Sequence, residues 1–135
     1  TLTKELGLIG RVIFDNRIIP EETARAYFGA SDISVFPYAD ITQSAALSQA
    51  FAYRKLILTS GIKPFTDIKN KWNCIETYFL GNQDDLVYKI NLLLAKKRLQ
   101  QKLICNIKQI LKETNWSQIA KQTYLLYTTA ASSGK

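Results

Sequence analysis

A parallel α/β sheet covered by helices on both faces is the fold this sequence predicts, and three observations carry the prediction. Strand-like and helix-like segments alternate along the chain at the spacing of right-handed βαβ units. The segments "DISVFPY" and "KLILTS" are continuously apolar rather than alternating, as strands covered on both faces are. The chain has 135 residues, 47% of them apolar, which suffices for one domain with a proper core and falls short of two.

Taken in order, "RVIFDN" (11–16) is β-branched at its centre and runs into Asp-Asn, which predicts a short strand. Pro20, two acids, an apolar face of Ala24, Tyr27 and Phe28, and then Gly29 predict a helix over 20–28. Residues 32–38 form a second strand, 42–53 a helix and 55–60 a third strand. "GIKPFTDIKNKWN" reads as loop or irregular helix, and "CIETYFL" (74–80) as a fourth strand. Asn82 caps a helix whose first turn carries Asp84 and Asp85 and whose inner face is Leu86, Ile90, Leu93 and Leu94. A last helical region spans 98–128 with a break at Thr114-Asn115. It carries an apolar stripe of Leu99, Leu103, Ile107, Ile110 and Leu111, with Lys97, Lys102, Lys108 and Lys112 away from it. Residues 129–135, "AASSGK" and the Thr before it, read as a frayed tail.

Composition excludes several chemistries. With no histidine, Ser-His-Asp triads, Cys-His pairs and H-E-x-x-H metal sites cannot be built from this segment. Cys74 and Cys105 have no C-x-x-C partner, which predicts buried free thiols rather than a disulfide framework or a zinc knuckle. Neither G-x-x-x-x-G-K-[ST], G-x-G-x-x-G nor D-x-D occurs, so P-loop and usual dinucleotide sites are set aside, and Asp84-Asp85 reads as helix N-terminal charge. No apolar run of about 18 residues and no signal-like N-terminus occurs, which leads us to expect a cytoplasmic protein or part of one. Methionine is absent and the chain opens on what reads as a helix end, so a piece of a longer protein is expected. The net charge of +7 is uneven: residues 1–68 carry seven basic and seven acidic side chains, and 69–135 carry eleven and four. That half could attract nucleic acid, anionic lipid or a phosphorylated substrate.

In such sheets ligands bind beyond the carboxyl ends of the strands. There, "FPYADITQSAALSQAFAY" (36–53) passes from strand to helix through a polar loop. A helix opening near Thr42, Gln43 and Ser44 aims unpaired N–H groups and about half a unit of positive charge above the sheet. Ser44, Ala45 and Ala46 are small enough for close approach of an anion. Equally, Thr42 or Ser44 caps a core helix and the alanines let it pack tightly.

The stretch "YFGASDISVFPYADITQSAALSQAFAYRKLILTS" resembles the nucleotide-sugar-binding region of retaining GT-B glycosyltransferases, the group called glycosyltransferase family 4. The features shared are Ala30-Ser31-Asp32, Phe36-Pro37-Tyr38, Thr42-Gln43-Ser44-Ala45, Ala50-Phe51-Ala52 and Leu56-Ile57-Leu58-Thr59, with "RVIFDNRIIPEE" before and "FLGNQDDLVYKINLLL" after in family order. The resemblance implies that residues 1–135 are the greater part of the second, Rossmann-like domain of a GT-B enzyme. That domain binds a nucleoside-diphosphate sugar as substrate, with no further cofactor and no metal required, while a missing N-terminal domain binds a glycan or lipid-linked acceptor. Asn16, Arg17, Ile18 and Ile19 would border the nucleobase, Tyr38 and Thr42 would line the donor site, and the amides of Gln43, Ser44 and Ala45 would face the diphosphate. Many relatives carry two glutamates eight residues apart, which here fall on Ile41 and Gln49. Gln49 can still bond a ribose without the strength of a carboxylate, and Ile41 cannot. Basic groups that clamp the diphosphate would precede Thr1, so the segment alone is expected to be inactive. No catalytic residue is assigned. The resemblance also places the C-terminal "NWSQIAKQTYLLY" against the missing domain, with Trp116, Tyr124 and Tyr127 as anchors; the basic C-terminal helices read either as an ordinary solvated face or, as in this family, as a face near the inner membrane. No nucleic acid is expected as a partner on this reading. A non-enzymatic α/β interaction module, receiver-like or nucleic-acid-binding, stays open beside it, though Asp15 and Asp40 alone make a thin acidic cluster.

Overall fold

The structure, a computed structural model, describes residues 1–41 and 44–133, with the side chains of all of these except 116, 132 and 133. Three strands, β1 (Ile33–Phe36), β2 (Leu56–Ser60) and β3 (Glu76–Tyr78), form a parallel sheet in the order β1-β2-β3. Phe36 lies opposite Thr59, and Leu58 opposite Glu76. Around the sheet run α1 (Leu2–Glu5), α2 (Glu21–Ala30), α3 (Ala45–Ala52), α4 (Lys63–Trp72), α5 (Gln83–Ala95), α6 (Lys97–Glu113) and α7 (Trp116–Ser133).

The parallel α/β class expected from the apolar runs is the one found, and β2 shows why those runs are continuous. All five of its residues are buried because both faces are covered. Ile57 points into a cluster with Phe36, Leu47, Ala50, Phe65 and Ile75, under α3 and α4. Its neighbours Leu56 and Leu58 point the other way, onto Tyr78, Leu93 and Leu103, under α5. Helix α6 serves both layers, since Leu103 and Ile107 lie one turn apart and enter different clusters.

Several expectations are corrected. Residues 11–16 form no sheet strand: only an isolated bridge joins Ile9 to Val12, and Ile13 and Phe14 are 86% and 75% exposed. β-propensity is expressed only where a segment pairs with an edge, and this one pairs with neither of the outer strands, β1 and β3. Helix α2 has Pro20 at its N-cap rather than its first turn, and it continues through Gly29 to Ala30. The stretch read as loop or irregular helix is the regular helix α4. Pro64 stands in its first turn, where its missing N–H costs nothing, and Asn73 closes it in the left-handed conformation. Asn82 caps α5 as expected, its Oδ1 accepting from the Asp85 amide at 2.9 Å. Leu94 is exposed rather than inward. The break at 114–115 separates α6 from α7, and α7 stays helical to Ser133, over most of the stretch expected to fray. Of the two thiols only Cys74 is buried, which pushes its pKa up to about 11; Cys105 is exposed because it lies off the Leu103–Ile107 face.

Gly61 is fixed by a close approach. Its N–H donates to the Tyr78 carbonyl at 2.7 Å, and a Cβ there would stand 3.0 Å from that same oxygen. Because the crowding atom is backbone and already hydrogen-bonded, Gly61→Ala should cost about 1 kcal/mol. Denaturant unfolding would read this as a lower midpoint at unchanged slope, and an unchanged midpoint would contradict it.

Candidate functional site at the start of α3

Helix α3 begins where the chain returns from the carboxyl end of β1. Ser44 is its N-cap: the side-chain oxygen accepts from the Leu47 amide at 3.0 Å, and its carbonyl accepts from the Ser48 amide at 3.2 Å. The Ser44 hydroxyl is therefore occupied by the helix it starts. The amides of Ala45 and Ala46 precede that of Ser48, the first to donate to a carbonyl of the helix, and both residues are exposed.

The start of α3 divides two clefts. One, of about 400 Å³, lies between α3 and α4 and is lined by Ile41, Ser44, Ala45, Ser48, Pro64 and Phe65. The other, of about 390 Å³, lies between α3 and α2 and is lined by Ile19, Tyr27, Phe28, Val35, Ala46 and Gln49. The helical period explains the split: Ala45 and Ser48 share one face, and Ala46 and Gln49 share another. Gln49 is exposed into the second cleft, and its side-chain amide makes no hydrogen bond among the described residues.

The expected site residues thus divide. Ser44 and Ala45 meet in the first cleft, while Ile19 and Gln49 meet in the second. Asn16, Arg17 and Ile18 line neither; Ile18 is 96% exposed. Tyr38 lies in an aromatic cluster, with its ring centroid 6.1 Å from that of Phe36 and 6.2 Å from that of Phe65, and its carbonyl accepts from the Ser60 hydroxyl. Ile41 packs on the core beside the first cleft, which accounts for an apolar residue there. Thr42 and Gln43 lie outside the described residues. Tyr124 and Tyr127 are exposed on α7, and the Trp116 side chain lies outside the description.

Three features escaped the sequence. Arg17 forks onto Asp15, Nε to Oδ1 at 2.7 Å and a second nitrogen to Oδ2 at 3.3 Å, while Tyr27 donates to the same Oδ2 at 2.5 Å. This clasp ties the 15–19 loop to α2 at the wall of the second cleft. Glu76, buried on β3, accepts from Lys69 at 2.8 Å and Lys89 at 3.4 Å; a glutamate inside an apolar strand was the available signal. The Thr59 hydroxyl is buried without a partner among the described residues.

The clasp makes a pH prediction. Hydrogen bonding from Arg17 first, and from Tyr27 second, holds the Asp15 carboxyl below its ordinary value of 3.8. Its contribution is complete above the ordinary carboxylate range and is lost as pH falls through the lower folded value. Tyr27 is raised by the same carboxylate, so its share is present below about pH 10 and lost above. A carbon-detected NMR titration should place the Asp15 midpoint below 3.8, with Arg17→Gln raising it more than Tyr27→Phe. An ordinary midpoint in the unaltered chain would mean the clasp does not form.

Fold and geometry together define a Rossmann-like α/β domain in which the helix α3 opens beyond the carboxyl end of β1. By comparison with solved structures, it is similar to a sucrose-phosphate synthase from Thermosynechococcus elongatus, with a TM-score of 0.76 and 21% identity over 98% of this chain and 33% of that one. That likeness establishes the GT-B type of fold. The chain spans about a third of that structure's length. No family model and no curated protein matches the chain. Among the described residues no group of three or more Cys, Asp or Glu could hold a metal ion, and no helix is long and apolar enough to cross a membrane.

Proposed function

We propose that this domain binds the nucleoside-diphosphate sugar of a retaining hexosyltransferase of glycosyltransferase family 4, which delivers the sugar to a glycan or lipid-linked acceptor held by another domain. The observation that carries the reading is α3 opening at the carboxyl end of β1 between two clefts, with the free Gln49 amide in one of them. The diphosphate lies at the Ala45 and Ala46 amides, where the helix dipole and unpaired N–H groups favour it and stabilise it as leaving group. The ribose meets Gln49, with Ile19 giving the nucleobase an apolar neighbour. The sugar enters the cleft walled by Ile41 and Ser48. Lys102, Lys108 and Lys112, exposed on α6, give the cytoplasmic face of a membrane about 1 kcal/mol each where a lipid-linked acceptor is presented.

Amide NMR with UDP, GDP and ADP tests this. The expected result is perturbation of Ala45, Ala46 and Gln49 by at least one nucleotide. Gln49→Leu should weaken that binding about fivefold, the worth of one neutral hydrogen bond near 1 kcal/mol. Silence at these amides with all three nucleotides, in this chain and in one carrying an acceptor domain, would defeat the proposal.

A further inference from the structure

We infer a second ligand site at the opposite pole of the sheet: the notch between the entries to β1 and β2 and the α5–α6 junction takes a small phosphate monoester. The notch has a volume of about 400 Å³, and Arg54, Lys55 and Lys97 line it against a single carboxylate, Asp32. Leu94 and Ile104 supply an apolar wall.

The polar groups around the notch separate into occupied and available. The Lys55 ammonium donates to the carbonyls of Gly29 at 3.2 Å and Ser31 at 3.0 Å, which closes the end of α2. The Gln100 side chain donates to the carbonyls of Leu93 at 2.6 Å and Leu94 at 3.0 Å, which closes α5. Arg54 and Lys97 make no side-chain hydrogen bond or ion pair among the described residues.

Both available cations stand where stability of the fold alone argues against them. Arg54 has φ +55 and occupies the left-handed position that ends α3, with the next amide returning to the Ala50 carbonyl at 3.0 Å. Glycine or asparagine fills that position without strain. Lys97 opens α6 between Lys96 and Arg98, in a first turn with no acid and no side-chain cap. Cations there oppose the positive end of a 17-residue helix. A compact dianion between Arg54 and Lys97 answers both, with the guanidinium fork and the ammonium on its oxygens. Its organic body would rest on Leu94 and Ile104. The notch gathers its cations in a recess rather than along a stripe, which favours a small ligand over a polyanion.

The test titrates the full chain with glucose 6-phosphate at fixed ionic strength, with glucose alone as control and phosphatidic acid vesicles as a second arm. Saturable shifts of the Arg54, Lys97 and Gln100 amides are expected with the phosphate ester and not with glucose. Lys97→Gln and Arg54→Gly should each weaken binding at least tenfold, while Arg54→Gly unfolds at the same or a higher temperature, which separates lost ligand from lost fold. Saturation by the vesicles alone, through the same two side chains, would support the site and assign its phosphate to a lipid. Absence of saturation in both arms, or undiminished binding by both variants, overturns the proposal. Tighter binding of a single-stranded DNA oligomer spread over the other α6 lysines also overturns it.

Discussion

Phe65→Ala should cost about 3–5 kcal/mol and lower the unfolding temperature by about 10–15 °C. Phe65 is 2% exposed and is the one buried side chain on α4. It packs in the cluster that holds Phe36, Ile57 and Ile75, with its ring 6.2 Å from that of Tyr38. The rest of α4 offers little in compensation. Its Lys63–Asp67 pair, at 3.0 Å, is exposed and worth a few tenths of a kcal/mol, about what such i,i+4 pairs give. Ile68 and Trp72 are only half-buried. Removing the ring therefore leaves a cavity under a helix with one strong anchor, and the helix also walls the first cleft. Chemical denaturation of Phe65→Ala beside Phe65→Leu measures this. A loss under about 1 kcal/mol for the alanine variant would show that α4 is held by something else.

How much of this was legible depends on the range of the interaction that decides each element. The covered strand β2 was legible because burial on both faces is written into consecutive residues, and β1 was legible from its apolar run although only Phe36 in it is buried. The Asn82 cap and the break at Thr114-Asn115 were legible because capping acts within three or four positions. Residues 11–16 were misread because a strand needs a partner edge, which no local pattern reports. The segment of α4 was legible only as loop or irregular helix, although Phe65, Ile68 and Trp72 recur in it at helical spacing.

The candidate site was legible as a place but not as a shape. The sequence put the start of α3 beyond the carboxyl end of β1, and the structure agrees. The shape comes from the helical period, which sends Ala45 and Ala46 to opposite sides and so to different clefts. The Asp15–Arg17–Tyr27 clasp joins positions 12 residues apart across a loop, and no spacing rule announces such a contact.

The second large effect is expected at Glu76. Its Oε2 accepts from Lys69 on α4 and Lys89 on α5, so one carboxylate at the edge strand links helices that cover opposite faces of the sheet. The Glu76 side chain is 11% exposed, whereas the two lysines are 28% and 22% exposed. Breaking a fully buried pair costs about 3–5 kcal/mol because a charge is stranded without water. Here the stranded lysines can still turn outward, so Glu76→Ala should cost about 2 kcal/mol, and Glu76→Gln about half of that, since the amide oxygen still accepts one bond. Replacing all three side chains with methionine should recover most of the loss, because desolvation of the ions is then removed along with their attraction. Denaturant midpoints of the single and triple variants decide the matter. If Glu76→Ala and the triple variant fall equally, packing at the sheet edge rather than charge holds the two helices there; if neither falls, the carboxylate contributes nothing to the fold.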